Sequence, residues 1–256
     1  MFESFWIDAA AILAVLHLLI LLALRSSYRF AARCHAAYVP LDALPEKVSG
    51  LFRHQAPAIQ NLGFNLIGYY DLGCLISGTR SYVADFCNVQ TNDFASISVL
   101  ASQRKTCGYL EFSSHFPNGL ILETNTNRIL PLTPDNSEIK TFRFPEIKDL
   151  HTLLRIHRQL KERYAPGLWA QGETPDAEIQ RLVQVVENYG PRHVHVGYMQ
   201  LAEDGQSYKL TWKGAFLITL RGLWPVQLVR RLIYRRAMNS ELHSLQAGAV
   251  TALQKA

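Results

Sequence analysis

The sequence predicts an α+β fold, with an N-terminal transmembrane helix, an antiparallel sheet of about five strands flanked by helices, and a helix–hairpin–helix C-terminal portion. Three observations predict it. The chain opens with an apolar run of bilayer length, continues with strand patterns that no helix separates, and closes with an apolar segment that becomes cationic. With 48% hydrophobic and 18% charged residues, the 256-residue chain is neither a disordered protein nor a polytopic transporter.

The N-terminal apolar run extends from Phe5 to Leu24 and is interrupted by Asp8 and His17. As a helix, a run of this length spans about 30 Å, which matches the hydrocarbon core of a bilayer. A cleaved signal peptide fits poorly, because no Lys or Arg precedes the run. Residues 1–33 are therefore predicted to form a membrane anchor with a basic flank, which makes membrane lipid a partner of the protein.

Charges on the two sides of the run predict its orientation. Arg25, Arg29 and Arg33 follow the run, whereas Glu3 and Asp8 lie toward its N-terminal side. Because positive flanks stay in the cytoplasm, we expect the N-terminus outside and the body of the chain in the cytoplasm. The predicted location is the cell inner membrane, with a single pass. The four cysteines have no disulfide or zinc-type spacing, which agrees with a reducing compartment.

Residues 34–165 are predicted to form a cytosolic α+β domain. A helix over Leu51–Leu62 precedes the strands, and Asp149 is the predicted N-cap of a later helix that ends at Tyr164. The five predicted strands are Phe64–Tyr70, Ser81–Val89, Phe94–Ala101, Gly108–Phe116 and Leu120–Thr126. Their close succession favours an antiparallel meander over a parallel sheet.

The register of the last predicted hairpin in this domain follows from its Pro-Asn-Gly turn at 117–119. A two-residue Asn-Gly loop would mix polar and apolar residues on both faces. A three-residue loop instead pairs Phe116 with Leu120 and Phe112 with Thr124. The second register separates the polar from the apolar residues, so it is preferred, with the glycine in a left-handed bulge conformation.

Residues 166–256 are predicted to hold a helix, a hairpin and a basic helical segment. The helix lies at about Asp176–Tyr189 and is closed by Gly190-Pro191. Two strand-like pieces, His193–Leu201 and Tyr208–Trp212, form the hairpin.

The basic segment, Lys213–Met238, carries six basic residues and no acidic one. A helix lying at the inner leaflet is one interpretation, with a tryptophan at headgroup level and arginines facing anionic lipid. These membrane-interface candidates are Trp224, Arg230, Arg231, Arg235 and Arg236. The alternative is a helix packed on the domain with its charges in water, because Leu228 and Arg231 lie on one side of the helical wheel. Both interpretations stay open.

Polar residues on one face of the predicted sheet form the candidate acid/base cluster, which consists of Glu111, His115 and Glu123. A solvated outer face explains the same three residues and is favoured. His193 and His195 would share a strand face as half of a metal site, but no third ligand has a usable spacing.

Catalytic motifs are missing from the sequence, which contains no phosphate loop, nucleophile elbow or metal-ligating pattern. No catalytic residue, metal or cofactor is therefore assigned, and a non-enzymatic protein is favoured. His157 lies on the apolar face of its predicted helix and is interpreted as a core histidine.

A Tyr-x-Leu-Thr-x-x-Gly pattern that begins at Tyr208 resembles the wing of winged-helix DNA-binding proteins, over residues 194–214. The resemblance implies that Asp176–Tyr189 is a recognition helix. That helix carries one basic residue, Arg181, against three acidic ones, and would repel phosphate. A nucleic-acid partner is therefore not expected.

The stretch 116–125, together with Leu153, Leu154 and His157 downstream, is similar to single-pass bacterial membrane proteins of uncharacterised function. The resemblance covers residues of about 50–160. It implies a bacterial inner-membrane setting and supplies no activity.

The predicted function is a membrane-anchored cytosolic interaction or scaffold module, whose protein partner is unknown and whose basic segment contacts the inner leaflet. Two alternatives remain open. One is a membrane-tethered, winged-helix-like DNA-binding regulator. The other is a small ligand-binding or hydrolytic domain with a pocket between the sheet and a helix.

Overall fold

The computed structural model describes residues 2–103, 105–131, 139–171 and 174–253. Within these ranges the chain forms six α-helices, one short 3₁₀ helix at Leu41–Ala43 and one large sheet. The helices are α1 (Phe2–Ser27), α2 (Glu46–Gln60), α3 (Leu150–Tyr164), α4 (Pro175–His195), α5 (Trp212–Gly222) and α6 (Trp224–Leu253). The strands are β1 (Arg29–Ala31), β2 (Ala37–Tyr38), β3 (Asn65–Ile76), β4 (Thr79–Asn88), β5 (Asp93–Ser102), β6 (Thr106–His115), β7 (Ile121–Asn125), β8 (Ile139–Arg143), β9 (Met199–Leu201) and β10 (Ser207–Leu210).

The centre of the sheet is an antiparallel meander of five strands, β3 to β7, as the sequence predicts. The described sheet is larger than expected, because it has ten strands in the order β8-β7-β6-β5-β4-β3-β1-β10-β9, with β2 paired to β3. Strand β8 lies parallel to β7 at one end. The C-terminal hairpin, β9 and β10, extends the same sheet through β1 at the other end.

The predicted hairpin register is confirmed. Phe112 lies opposite Thr124, and the Phe116 amide donates to the Leu120 carbonyl at 3.0 Å. Gly119 has φ +81°, the left-handed conformation that a three-residue bulge loop requires. Because successive side chains alternate between faces, this register decides which residues of β6 and β7 reach each side of the sheet.

The first face of the sheet, called the α3 face here, packs against α2 and α3. Its core includes Phe52, Phe112, Leu153 and Leu160, which are fully buried. The Asp149 carboxylate accepts from the Thr152 amide at 2.9 Å, so the predicted N-cap of α3 is confirmed. Helix α2 begins five residues earlier than predicted, at Glu46, directly after Pro45 as its N-cap residue.

The opposite face, called the α4 face here, packs against α4. Leu182, Val183 and Val186 of this helix contact an apolar cluster that contains Leu72 and Val83 of the sheet. Helix α4 does not end at Gly190-Pro191 as predicted, but continues to His195.

Gly190 lies inside α4 at a close contact and does not serve as a helix end. A Cβ at this position would lie 2.1 Å from a ring carbon of Tyr208, so the glycine lets β10 approach the helix. His193 and His195 therefore lie on a helix and not on a strand. Residues two apart in a helix do not share a face, so the strand face that the sequence suggested for these two histidines is not formed.

The predicted transmembrane anchor is wrong. Among the residues that the structure describes, no helix is long and apolar enough to cross a membrane. The run Phe5–Leu24 does lie within helix α1, but Asp8 and His17 divide it. The two longer apolar stretches that these residues leave, 9–16 and 18–24, are about 12 and 10 Å long as helix, against about 30 Å for a hydrocarbon core.

The C-terminal part of α1 also packs against protein. Leu21 is buried in a cluster with Ala215 and Ile218 of α5, and the Arg25 guanidinium lies 4.3 Å from the centre of the Trp212 ring. The fold class is therefore corrected to an α+β protein without the predicted anchor at 1–33. The single-pass topology and the inner-membrane location that depended on this anchor are corrected with it.

Candidate functional site

The interface between the sheet and α3 is the place where the sequence suggested a ligand pocket. Apolar side chains fill it around a buried polar network, in which Ser114, Thr124 and His157 are fully buried and Asp93 is 1% exposed. The Ser114 hydroxyl donates to Asp93 Oδ1 at 2.5 Å and lies 2.9 Å from His157 Nε2. Such a network holds its members in place but is closed to a substrate.

The network has the residue types of a catalytic triad but a different connectivity. Thr124 Oγ1 lies 3.0 Å from His157 Nδ1, where a triad would have a carboxylate. Asp93 instead pairs with Lys161 of α3. Burial lowers the pKa of His157 to about 4, so its imidazole is neutral at physiological pH. The prediction of a satisfied core histidine is confirmed.

A row of polar residues crosses the α4 face. Directly paired positions on five neighbouring strands contribute one residue each, from β4 to β8. The polar row, as we call it, consists of Asp85, Ser96, Glu111, Asn125 and Arg143. Because directly opposite residues project to one side of a sheet, these five side chains share the α4 face. At about 4.8 Å between strands, the row extends about 19 Å across the sheet.

The three residues of the predicted acid/base cluster also lie on this face. Glu111 and Glu123, called the carboxyl pair here, are diagonal neighbours on β6 and β7 and are half-buried. Asn125 Nδ2 donates to Glu111 Oε2 and Thr141 Oγ1 donates to Glu123 Oε2, both at 2.9 Å. The favoured sequence interpretation, a solvated outer face, does not hold for the carboxyl pair, which is partly withdrawn from water.

Burial and the neighbouring Glu123 raise the pKa of Glu111 to about 8. Glu111 is therefore mostly protonated at neutral pH. His115 lies apart from the pair, at the end of β6, where it is 4% exposed and its Nδ1 lies 3.7 Å from Glu178 Oε2 of α4. Burial, reinforced by the charge of Arg181, lowers the pKa of His115 to about 3. A neutral, buried imidazole separated from the pair is a poor general base for it.

Asp85 ends the polar row beneath α4. It is 3% exposed, and its Oδ2 atom has no hydrogen-bond partner. Burial and the charge of Glu178 raise the pKa of Asp85 well above its usual value. The polar row thus extends from the buried carboxyl group of Asp85 to Arg143 on β8, the strand at that edge of the sheet.

An open groove of about 500 Å³ lies at this outer end, between α6 and the segments 127–130 and 143–147. Four arginines and a single carboxylate line it, namely Arg128, Arg143, Arg231, Arg235 and Glu146. Apolar side chains form the rest of its walls, among them Leu130, Phe144, Leu228, Leu232, Met238 and Leu242.

Helix α6 closes the sheet edge beside the groove. The Arg143 amide donates to Tyr234 Oη at 3.0 Å, and Tyr234 Oη donates to the Thr141 carbonyl at 3.5 Å. These contacts satisfy backbone groups of the edge strand β8 that would otherwise hydrogen-bond to water. Met238, Leu242 and Leu245 of α6 reach the core of the α3 face, so the C-terminal part of the helix is packed.

The five membrane-interface candidates lie in different surroundings in the structure. Arg231 and Arg235 line the groove, whereas Arg230 donates to the Pro131 carbonyl at 2.6 Å. Arg236 is exposed and Trp224 is 76% exposed. The lipid contact predicted for these residues stays a prediction. The unclean helical wheel has a physical explanation, because Leu228 and Arg231 lie on the side of α6 that faces the groove.

Sequence reasoning missed Asp85, Arg128 and Arg143. Asp85 is a lone charged residue in the apolar stretch 83–87 of β4, a signal that does not reveal whether its face of the sheet is covered. Arg128 and Arg143 belong to a segment without a strong pattern, and they meet α6 only in the folded chain. In the described part of the chain, no group of three His, Cys, Asp or Glu residues could hold a metal ion.

Comparisons with protein families, with curated proteins and with solved structures find no match to this chain.

Proposed function

We propose that this protein is a ligand-binding module whose groove takes a small anionic amphiphile, a molecule with one acidic head group and an apolar body. The observation that carries the proposal is the groove lining, in which three exposed arginines, Arg128, Arg231 and Arg235, stand against one carboxylate beside apolar walls. A volume of about 500 Å³ lies within the range of ~300–1,000 Å³ that is usual for small-molecule sites.

The charge of the groove supports an acidic head group. Arg128, Arg231 and Arg235 make no ion pair within the described ranges, so their guanidinium groups are not neutralised there. Arginine binds carboxylate, sulfate and phosphate groups through paired N–H donors. Glu146 is exposed at the rim and offsets only part of this charge.

The apolar walls support an apolar body. On α6, Leu228, Leu232 and Leu242 recur at the spacing of one helix face, and Arg231 and Arg235 lie among them. A purely inorganic anion would leave these walls exposed to water. An amphiphile covers them and gains about 25 cal/mol for each Å² of apolar surface removed from water.

Calorimetric titration of the full chain tests this proposal with octyl sulfate and octyl glucoside, which share the alkyl chain and differ in charge. We expect octyl sulfate to bind at one site and octyl glucoside to bind at least tenfold more weakly. The double variant Arg231→Gln/Arg235→Gln should lose about tenfold or more in octyl sulfate affinity, since charged hydrogen bonds contribute about 1.5–3 kcal/mol each.

Arg236→Gln is the matched control, because this arginine is adjacent in sequence, exposed and not part of the groove. It should bind octyl sulfate as the unchanged chain does. Equal affinity for the two amphiphiles, or an equal loss in Arg236→Gln and in the double variant, would contradict a specific anionic site.

A second candidate is the interaction module that the sequence predicted, without its anchor. Large apolar side chains are exposed on α1, α5 and α6, including Ile12 at 60%, Phe216 at 52% and Ile233 at 63%. Exposed apolar patches often mark protein contacts. Light scattering at increasing protein concentration tests for self-association. A mass that rises with concentration and falls in Phe216→Ser would support the module, and a constant monomer mass would count against self-association.

A further inference from the structure

We propose that a second copy of this chain pairs with the exposed side of α1, so that two α1 helices run antiparallel as a two-helix coiled coil. This inference goes beyond the groove. It rests on the second candidate function, the interaction module, and names its partner. The pairing surface lies on α1 and the groove lies beside α6, so either proposal can fail without the other.

Helix α1 exposes more apolar surface than a single chain usually does. Between Ile7 and Leu22, nine large apolar residues in its described part are 43–68% exposed. A helix that is apolar on several sides is normally buried, and a large exposed apolar surface marks a contact with another molecule. The described part of this chain leaves that surface uncovered.

One side of α1 is already covered by α5. Leu21 is buried in a cluster with Ala215 and Ile218. One turn earlier, the centres of the His17 and Phe216 rings are 6.2 Å apart. These contacts hold α1 in place, so a partner on another side meets a helix that is already ordered, which lowers the entropy cost of pairing.

The side of α1 opposite His17 and Leu21 has the residue spacing of a coiled coil. Its residues follow one another in alternating steps of four and three, and all of them are exposed. The free seam, as we call it, consists of Asp8, Ile12, Val15, Leu19, Leu22 and Ser26. At about 1.5 Å per residue it is about 27 Å long. Apolar residues in this rhythm are what a second helix needs in order to interdigitate its own side chains.

The ends of the free seam favour a second copy in the antiparallel direction. The seam has Asp8 at one end and Ser26, next to Arg25, at the other. In an antiparallel pair each Asp8 lies opposite Ser26 of the other copy and close to its Arg25. Val15 then lies opposite Leu19. A parallel pair would instead place two Asp8 carboxylates against each other, and like charges oppose pairing. A two-fold axis uses the same surface twice, so one self-complementary seam completes the interface.

Light scattering of the full chain over about a hundredfold range of concentration measures the pairing. We expect the mass to rise from that of one chain toward that of two and no further, because a two-fold pair is closed. Leu19→Gln places an amide at the centre of the free seam in both copies. It should weaken pairing about tenfold or more, since the loss of apolar contact occurs twice.

Leu13→Gln is the matched control. It makes the same change on α1, at a side chain that is 66% exposed but lies about 120° around the helix from Leu19. Glutamine is a good helix former and both leucines are exposed, so circular dichroism should show the same folded state in both variants. We expect Leu13→Gln to pair within about twofold of the unchanged chain. An equal loss in the two variants would overturn the free seam as the interface.

Disulfide crosslinking tests the direction of the pair. Ile12→Cys and Leu22→Cys are made separately, each together with Cys74→Ser, since Cys74 is an exposed cysteine. The two proteins are mixed, oxidised mildly and digested for mass spectrometry. An antiparallel pair places position 12 opposite position 22, so we expect the mixed 12–22 disulfide to predominate. Disulfides that join 12 to 12 and 22 to 22 would overturn the antiparallel arrangement.

The remaining outcomes separate this inference from the function on which it rests. Self-association that Leu19→Gln leaves unchanged would keep the interaction module and overturn α1 as its interface. A monomer at every concentration would overturn both. Monomers that bind phosphatidylcholine vesicles through the free seam would assign it to lipid and would also overturn the pairing. Octyl sulfate binding in the groove is measured independently of these results.

Discussion

The two faces of the sheet use the same kinds of side chain in different ways. On the α3 face, hydrogen bonds join Asp93, Ser114 and His157 in a closed network, and Lys161 neutralises the aspartate. On the α4 face, Glu111 retains a raised pKa, and the row of polar residues that contains it continues to an open groove. Residue type alone therefore does not identify a site, and an incompletely compensated carboxyl group near a cavity is the stronger indication of one.

The largest expected effect concerns the closed network. His157→Ala should destabilise the protein by about 3–4 kcal/mol, because it leaves a cavity and removes the partner of two buried hydroxyl groups. Urea unfolding followed by circular dichroism measures the change. Arg158→Ala is the control on the same helix, where the side chain is exposed, and should change stability by less than about 0.5 kcal/mol. A cost below about 1 kcal/mol for His157→Ala would show that the network contributes little.

The second effect concerns the carboxyl pair and depends on pH. Glu111 has a folded-state pKa of about 8, above its usual 4.5, so the folded state holds a proton that the unfolded state releases. The contribution of this proton to the free energy of unfolding is therefore fully present below pH 4.5 and is lost as the pH rises through about 8. We expect a loss of a few kcal/mol by pH 9, since each pH unit between the two pKa values costs up to about 1.4 kcal/mol, and a flatter profile in Glu111→Gln. Urea unfolding at a series of pH values measures both, and parallel profiles for the two proteins would rule out this role of Glu111.

A smaller effect concerns the boundary between the carboxyl pair and the groove. Tyr234→Phe removes the hydroxyl that contacts the Arg143 amide and the Thr141 carbonyl, and should cost about 1 kcal/mol of stability. Thermal unfolding measures this cost. Tyr38→Phe is the control, since Tyr38 is 67% exposed. An equal shift in both variants would mean that α6 does not hold the sheet edge through Tyr234.

The smallest effect concerns the turn at 117–119, which sets the register of β6 and β7 and so determines which of their side chains lie on each face. Gly119→Ala should cost about 1 kcal/mol or less, because φ is +81° and no neighbouring atom would meet the added methyl group. Thermal unfolding again provides the measurement. Asn118→Ala is a useful comparison, since the Asn118 side chain accepts from the Leu120 amide at 3.1 Å. A stabilising Gly119→Ala would be incompatible with the left-handed turn.

Local patterns predicted the parts of the fold that local physics determines. The meander, the Phe116–Leu120 register and the Asp149 cap each depend on residues close in sequence. The hairpin of β9 and β10 was also predicted, although its first strand begins later than expected, at Met199. The short strands β1 and β2 escaped, because two or three residues are too few to show alternation. The predicted anchor failed because the length of an apolar run shows neither the energetic cost of its polar residues nor its packing against α5.

The candidate site was only partly predictable. Alternation along β6 and β7 placed Glu111 and Glu123 on one face, but could not show that this face is half-covered. The groove needs Arg128, Arg143 and Arg235 from three distant segments, which meet only after α6 packs on the sheet edge. Side chains brought together by tertiary packing leave no signal in a local sequence window.

Hydrogen–deuterium exchange of the full chain, with and without octyl sulfate, shows where the ligand binds. We expect slower exchange at 127–130, 143–147 and the groove-facing part of α6, with no change in α3 or in the strands beneath it. Protection confined to α3 and its strands, or no protection anywhere at saturating octyl sulfate, would contradict the claim that the groove is the binding site.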